Sequence, residues 1–261
     1  MNVKKLIINA DDFGYTPAVT QGIIEAHKNG VVTSTTALTV SEFFLPAMEI
    51  ATICAPTLPI GVHLTLTLNK GKPILPLHLI SSLVDEEGCF WNQNTFVDKV
   101  NIDEVYLEWD AQIVQFFKSG KRPDHIDSHH NVHGKNEQLF RVAAKLADKY
   151  NLPLRNPSRS PETAFLNDLD LPVRTPDKIL PQFYGAGATF ENLEVILDGI
   201  AASNDELFEI NAHPAFVDHH LLAVSSYAYE RVHELDILTS PEAKAAIEKR
   251  EIVLTNYEVL K

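Results

Sequence analysis

Carboxylate and imidazole side chains recur in this sequence within or directly after short apolar segments. Asp11 and Asp12 follow the segment 5–9, and His63 lies inside the segment 59–66. Asp127 lies inside the segment 125–128, His129, His130 and His133 follow it, and His213 follows the segment 207–211. One carboxylate and two imidazoles can hold a divalent metal and leave positions open for water and substrate. A second carboxylate can then take the proton from water, and a further His can protonate the leaving group. These residue types indicate metal-assisted hydrolysis.

Each candidate also has a purely structural interpretation. One Asp would suffice to cap the helix expected from Pro17, but two adjacent carboxylates repel each other unless a cation lies beside them. His63 alone is typical of a core histidine, and the His-rich segment 129–133 is also consistent with a solvated loop. The spacing of its first and last His suits two ligands on one helical face. His213 precedes a proline and fits a core or turn position equally well.

Predicted strands and helices alternate along the chain. Apolar or β-branched segments predict strands at 5–9, 33–39, 59–66, 125–128, 152–155, 207–211 and 252–254. Helical patterns predict one helix that begins at Pro17 and further helices at 43–54, 105–117, 137–150, 193–202 and 241–250. The segment 213–231 is predicted to be a loop. This order predicts an α/β fold, a (β/α) barrel of the TIM type or a distorted or seven-stranded relative. A doubly wound open sheet is the alternative. In a parallel barrel the carboxyl ends of the strands share one face, so the candidates should converge there.

Composition restricts the partners and the domain count. The 261 residues carry 22 Lys and Arg against 35 Asp and Glu, a formal net charge of −13, which disfavours binding to nucleic acid. No apolar run reaches the length of a membrane span, and the first segment is too short for a signal peptide. The simplest interpretation is one cytoplasmic domain, 1–261, with insertions near 67–100 and 156–188. Cys54 fits an apolar helical pattern and is predicted to be buried in the core.

Five motifs together resemble the YdjC-like carbohydrate deacetylases, a family that includes the chitooligosaccharide deacetylases. The motifs occur in order: Asn9-Ala10-Asp11-Asp12-Phe13-Gly14, Thr33-Ser34-Thr35-Thr36-Ala37, Gly61-Val62-His63-Leu64, His125-Ile126-Asp127-Ser128-His129-His130 with His133, and His213-Pro214-Ala215-Phe216. The resemblance covers most of the chain. It implies a barrel of the polysaccharide-deacetylase type, a divalent metal usually described as Mg²⁺, and removal of acetyl groups from N-acetylated sugars or oligosaccharides. It also implies a homodimer.

The resemblance assigns roles residue by residue. Asp12, His63 and His129 would be the metal ligands, Asp11 the general base and His213 the general acid. Arg155 and Tyr184 match positions near the substrate pocket, and Asp127 and His133 would support the ligands from outside the metal shell. The family often has a third consecutive His where this chain has Asn131, which affects substrate preference rather than the ligands. By ligand softness, two imidazoles and one carboxylate suit Zn²⁺ or iron at least as well as Mg²⁺.

Two rival functions remain open at this point. A phosphoesterase or isomerase acting on sugar phosphates would need a basic cluster, for which Arg155, Arg159 and Arg174 are the candidates. A sugar-binding protein without catalysis would not need the paired base and acid. The two insertions are expected to contact the substrate. Their aromatic residues Phe90, Trp91, Phe183 and Tyr184 are candidates for stacking on sugar rings.

Overall fold

A parallel β-sheet forms the centre of the computed structural model, which describes residues 3–157 and 173–261. Its strands are β1 (Lys5–Phe13), β2 (Ser34–Ala37), β3 (Ile60–Leu64), β4 (Ile126–Ser128), β5 (Lys178–Ile179), β6 (Leu207–Ala212) and β7 (Val253–Thr255). These described strands form one seven-stranded sheet in the order β4-β3-β2-β1-β6-β5, and β7 also pairs with β1. Every pairing is parallel. The predicted strand at 152–155 is reduced to one bridge between Leu154 and Ile126.

The sheet curls so that its two edges approach each other. Arg155 lies beside β4 at one edge, where its backbone N–H donates to the Ile126 carbonyl. Its side chain nevertheless reaches Glu209 on β6, next to the other edge, at 2.8 Å. The predicted (β/α) architecture is therefore confirmed as a curled parallel sheet. A completely closed barrel is not shown among the described residues, since their strand path ends at β4 and β5.

Helices follow the strands and cover the outer face of the sheet. They are α1 (Pro17–Asn29), α2 (Phe44–Cys54), α3 (Ile102–Phe117), α4 (Glu137–Tyr150), α5 (Phe190–Ala202), α6 (His219–Val224), α7 (Tyr229–Thr239) and α8 (Pro241–Lys249). Helix α1 begins as the sequence predicts, because the Thr16 side chain accepts from the Val19 N–H and proline occupies the first turn.

The alternation of β1 explains how polar groups collect inside the curled sheet. Leu6, Ile8 and Ala10 belong to the main hydrophobic core, which lies under the helices. Ile7 belongs to a separate small cluster on the other face. Because side chains alternate along a strand, Asn9 and Asp11 lie on this inner face with Ile7. The inner face thus becomes polar towards the carboxyl end of the strand.

Two predictions about local structure are wrong. The segment 213–231 was expected to be a loop, but it contains α6 and the start of α7, whose short amphipathic patterns are interrupted by polar residues. Cys54 is exposed rather than buried in the core. Helix α2 is apolar on several sides, and its buried face consists of Phe44, Ala47, Met48 and Ala51. Among the described residues, no helix is both long and apolar enough to span a membrane.

Candidate active site and metal centre

An irregularity at the end of β1 brings both adjacent carboxylates to the inner face of the sheet. Consecutive strand residues normally point to opposite faces. The β1–β2 register shifts between Ala10 and Phe13, and Asp12 has a left-handed φ of 72°. Such a bulge redirects a side chain, and a non-glycine residue with positive φ is strained. Asp12 is thereby turned towards His63 and His129.

Asp12, His63 and His129 form a buried group that could hold a metal ion. Asp12 Oδ1 lies 3.3 Å from His63 Nε2 and 2.9 Å from His129 Nδ1. The three ligand atoms all lie within 4.8 Å of one another. One oxygen and two imidazole nitrogens at this spacing fit a single divalent metal. The residues that the resemblance assigns as ligands are therefore brought together.

Asp127 orients the His63 ring from behind. The His63 Nδ1–H donates to Asp127 Oδ1 at 2.6 Å, which leaves Nε2 directed at Asp12. Thr36 donates to the second Asp127 oxygen at 2.9 Å. Burial lowers the pKa of His63, but the Asp127 charge and the hydrogen bonds outweigh it and raise the pKa to about 10. A carboxylate behind a ligating His fixes the tautomer that presents the other nitrogen to a metal.

Asp11 is held by two hydrogen bonds from Arg155. Arg155 Nη1 donates to Asp11 Oδ2 at 2.9 Å and Nη2 donates to Oδ1 at 2.6 Å. The same guanidinium contacts Asp127 at 2.9 Å and Glu209 at 2.8 Å, and Arg155 is fully buried. A substrate-binding role for Arg155 finds no support in this position, because three carboxylates already occupy its donors. Arg155 instead fixes the direction of the Asp11 carboxylate.

Asp12 has its own arginine partner on α7. Arg231 Nη2 donates to Asp12 Oδ2 at 2.7 Å, and the guanidinium Nε donates to the Tyr227 carbonyl at 2.8 Å. Burial raises the pKa of Asp12, but His129 and Arg231 outweigh it and hold that pKa well below its usual range. The repulsion between the two adjacent aspartates is thus balanced by one arginine each, and Asp12 stays ionised for a metal.

His213 lies beside Asp11, between the Asp11 and Glu234 carboxyl groups. Its Nε2 is 3.9 Å from Asp11 Oδ2, and its Nδ1 is 3.9 Å from Glu234 Oε1. Glu234 also accepts the His213 backbone N–H and, at 2.5 Å, the Tyr227 hydroxyl. Burial, together with the Arg231 charge, lowers the pKa of His213 to about 4. The imidazole is therefore neutral at pH 7.

The segment after β4 is a turn and not one face of a helix. His130 and Asn131 both have left-handed φ values, 55° and 50°, inside the His129–Gly134 segment. His133 consequently points away from the metal group: its Nδ1 contacts the Ser128 hydroxyl at 2.5 Å and its Nε2 the Arg155 carbonyl at 3.2 Å. The spacing interpretation that paired His129 with His133 as ligands on one face is wrong for this reason. His133 instead stabilises the turn that positions His129.

A cavity of about 1200 Å³ opens over these residues. Residues of the insertion 67–100, including Trp91, line this cavity, and so does Tyr184. Tyr184 is half exposed, stacks on Tyr227 at 4.3 Å and meets the His213 ring at 5.3 Å. Phe90 also lines the cavity but is 4% exposed, and Phe183 is fully buried, so both mainly pack in the core. Part of the insertion near 156–188, with Arg159, lies outside the described residues.

The residues that sequence reasoning missed are the partners of the catalytic candidates: Glu209, Tyr227, Arg231 and Glu234. Arg231 and Glu234 are three positions apart on α7, where charged residues are usually solvent-exposed. Nothing in their local pattern distinguishes them from surface residues. Their burial is the distinguishing signal, at 3% and 0% exposure, and it exists only in the folded chain.

Glu234→Gln is expected to remove a pH dependence of stability. Burial raises the pKa of Glu234 to about 7 against an ordinary 4.5. Because the folded-state pKa is the higher one, the stabilising contribution is complete below pH 4.5 and is lost as pH rises through 7. The unfolding free energy of the wild type, relative to the variant, should fall by about 3 kcal/mol across this range. Urea denaturation at pH 4.5, 6, 7 and 8 measures this difference.

The matched control is Glu230→Gln, one turn earlier on α7 and half-buried. Its stability is measured over the same pH values as the reference for a Glu-to-Gln change on this helix. A free-energy difference between Glu234→Gln and the wild type that does not change with pH would mean that burial does not raise the pKa of Glu234.

Comparison with known proteins shows the family to which the chain belongs. The family described as YdjC-like protein matches residues 5–249. A carbohydrate deacetylase of Enterococcus faecalis V583 is 64% identical over 260 residues, which cover 100% of this chain and 99% of that protein. A crystal structure from the same strain, provisionally named a cellobiose-phosphate cleavage protein, is 64% identical with a TM-score of 0.97 and covers 99% of both chains.

A more distant structure shares the fold alone. It is a mutant CE4-family pseudoenzyme with restored activity, 10% identical with a TM-score of 0.53, and the match covers 99% of this chain and 68% of that chain. The polysaccharide-deacetylase type of curled sheet is thus found without sequence similarity. The full-length match to the family and the 64% identity over the whole chain decide the assignment. This chain belongs to the YdjC-like family.

Proposed function

We propose that this protein is a metal-dependent carbohydrate deacetylase that hydrolyses the N-acetyl amide of amino sugars or their oligosaccharides. The observation that carries the proposal is the buried Asp12, His63 and His129 group, with Asp11 and His213 beside it. Asp11, Asp12, His129 and His213 line one cavity. The relatives named carbohydrate deacetylase support the substrate class. A pure sugar-binding protein would have no use for a base and an acid placed beside a metal group.

Asp11 is the proposed general base. Its carboxylate takes the proton from the attacking water, and the two hydrogen bonds from Arg155 keep its oxygens in a fixed direction. When bound to Asp12, His63 and His129, a divalent metal supplies Lewis acidity that acidifies water and polarises the acetyl carbonyl. Magnesium is the metal that the family resemblance implies, while the imidazole ligands favour Zn²⁺ as the alternative.

His213 is the proposed proton donor to the departing amine. A neutral imidazole must gain a proton before it can act as this acid, because its pKa is lowered to about 4 by burial. Asp11 and Glu234 both lie 3.9 Å from its ring nitrogens. The proton that Asp11 takes from water can therefore pass to His213 and then to the amine. Such a transfer keeps the number of protons on the site unchanged over one turnover.

The cavity has room for more than one sugar ring. Its volume of about 1200 Å³ exceeds that of most sites for drug-sized ligands, which run to roughly 1000 Å³. Tyr184 offers a half-exposed ring beside His213 for stacking on a sugar. We therefore favour an oligosaccharide substrate. Homodimer formation and a cytoplasmic location stay predictions.

A phosphoesterase acting on sugar phosphates is the second candidate, and the provisional name of the Enterococcus structure favours testing it. The arginines proposed for phosphate give it little support. Arg155 is committed to three carboxylates, and Arg174 contacts Asn151 at 2.8 Å. Among described residues, the lysine and arginine on the cavity wall are Lys70 and Arg231, and Arg231 is bound to Asp12.

One experiment separates these functions. The protein is purified without added metal, its bound metals are measured, and it is assayed with N-acetylated oligosaccharides and with sugar phosphates. Acetate release that stops with a chelator and returns with Mg²⁺ or Zn²⁺ is the expected result. Phosphate release without acetate release would overturn the proposal in favour of the phosphoesterase.

A further inference from the structure

A chain of buried hydrogen bonds leads from Asp11 to a tyrosine far along the sequence. Arg155 binds Asp11 through Nη1 and Nη2, and its Nε donates to Glu209 Oε1 at 2.8 Å. The Tyr257 hydroxyl donates to the other Glu209 oxygen at 2.5 Å. Arg155, Glu209 and Tyr257 are all 0% exposed. The contacts are therefore shielded from water along their whole length.

Tyr257 enters the curled sheet from the end opposite the cavity. It begins the short turn Tyr257–Leu260 and packs with Ile7 and Leu207, near the amino ends of β1 and β6. Its ring stacks on His125 at 3.7 Å with an interplanar angle of 8°. A Cβ on Gly61 would lie 2.6 Å from that His125 ring, so glycine makes room for the stack. The position of the Tyr257 ring is thus fixed by packing on both sides.

We infer that Tyr257 is a positioning residue for Asp11, acting through Glu209 and Arg155. This inference rests on the proposed function, in which Asp11 is the base. The guanidinium of Arg155 is planar and rigid, so the contact at Nε determines the direction in which Nη1 and Nη2 point. Glu209 can hold that end only if its own carboxylate is fixed. The tyrosine hydroxyl is the contact that fixes the second Glu209 oxygen.

The protonation states agree with this arrangement. Burial raises the pKa of Glu209, while Arg155 and the Tyr257 hydroxyl favour its ionised form. Burial and the Glu209 charge raise the pKa of Tyr257 well above 10, so the hydroxyl keeps its proton as a donor. Without that donor, Glu209 is protonated more easily and its attraction for the Arg155 guanidinium weakens.

The direct test is Tyr257→Phe, which keeps the ring on His125 and removes only the hydroxyl. We expect kcat for acetate release to fall about tenfold, since loss of a supporting contact typically costs 10- to 100-fold, with KM changed by less than about twofold. The matched control is Tyr150→Phe, which removes a hydroxyl bound at 2.7 Å to the Asp110 carboxylate, outside the site. Its kcat should equal that of the wild type.

A double variant shows whether Tyr257 acts through Glu209. Glu209→Gln should lower kcat by itself, and adding Tyr257→Phe to it should cause no further loss. Losses that multiply in the double variant, or a wild-type kcat in Tyr257→Phe, would overturn the inference. A general loss of folded protein would not produce this non-additive pattern at unchanged KM.

Hydrogen exchange of the Arg155 Nε–H, followed by NMR, provides a readout that does not require activity. Exchange should become at least about tenfold faster in Tyr257→Phe and stay unchanged in Tyr150→Phe, because only the first loosens Glu209. If the wild type releases no acetate from any oligosaccharide, the proposed function fails and this exchange rate alone decides the inference. An unchanged rate in Tyr257→Phe would then refute it.

Discussion

Asp11→Asn is expected to lower kcat for acetate release by about 10³-fold while leaving metal content unchanged, since general base catalysis contributes roughly 10²–10⁴-fold. Asp11 is outside the Asp12, His63 and His129 group, and its oxygens bind Arg155 and Asn9. The asparagine oxygen can still accept one hydrogen bond from Arg155, whose charge keeps Asp127 and Glu209 as partners. The loss should therefore fall on the chemical step. Acetate release, elemental analysis and urea denaturation of the same preparation measure the three quantities.

Asp198→Asn is the matched control for Asp11→Asn, because Asp198 also pairs with an arginine, Arg250 at 2.7 Å, but lies on the surface. It should retain wild-type activity and metal. Activity of Asp11→Asn within tenfold of the wild type, with metal bound, would mean that another group takes the proton from water. Loss of metal from Asp11→Asn would instead place Asp11 among the ligands.

The elements around the site could be predicted from the sequence because their signals are local. Pro17 predicts the start of α1, and the apolar run before Asp11 predicts β1. The parallel arrangement then places Asp11, His63 and His213 at the carboxyl ends of different strands, on one side of the sheet. This convergence needs only the period of the pattern and the rule for parallel sheets. It did not require any knowledge of side-chain contacts.

The orientation and the counter-charges of the two aspartates could not be predicted in the same way. A regular strand would have sent Asp12 to the outer face, and only the register shift with φ 72° turns it inwards. The sequence suggested a metal as the cation that balances the adjacent carboxylates. The structure supplies Arg155 and Arg231 as well, from positions 144 and 219 residues away from their partners. Pairings at that separation leave no local pattern.

His129→Gln is expected to weaken metal binding by more than about 100-fold and to abolish activity at metal concentrations that saturate the wild type, since even supporting residues around a metal typically contribute 10- to 100-fold. His129 offers Nδ1 at 2.9 Å from Asp12 Oδ1, so its loss leaves a two-residue group. Metal affinity should also weaken on acidification, because a ligating nitrogen must give up its proton. Burial lowers the pKa of His63, but the Asp127 carboxylate outweighs it and raises that pKa to about 10. Titration of the chelator-treated protein with Mg²⁺ and with Zn²⁺ at pH 6 and pH 8 measures both effects.

His130→Asn is the matched control for the metal titration. His130 is the neighbouring imidazole, with its ring centroid 3.9 Å from that of His129 and the two rings tilted by 39°. Asparagine tolerates the left-handed φ of 55° that His130 has. This variant should bind metal like the wild type, because His130 is not part of the ligand group. Zn²⁺ should bind more tightly than Mg²⁺, since two of the three ligands are imidazoles. Full activity of chelator-treated wild type, or unchanged metal affinity in His129→Gln, would refute the metal centre. Asp11 and His213 would then have to act without a Lewis acid.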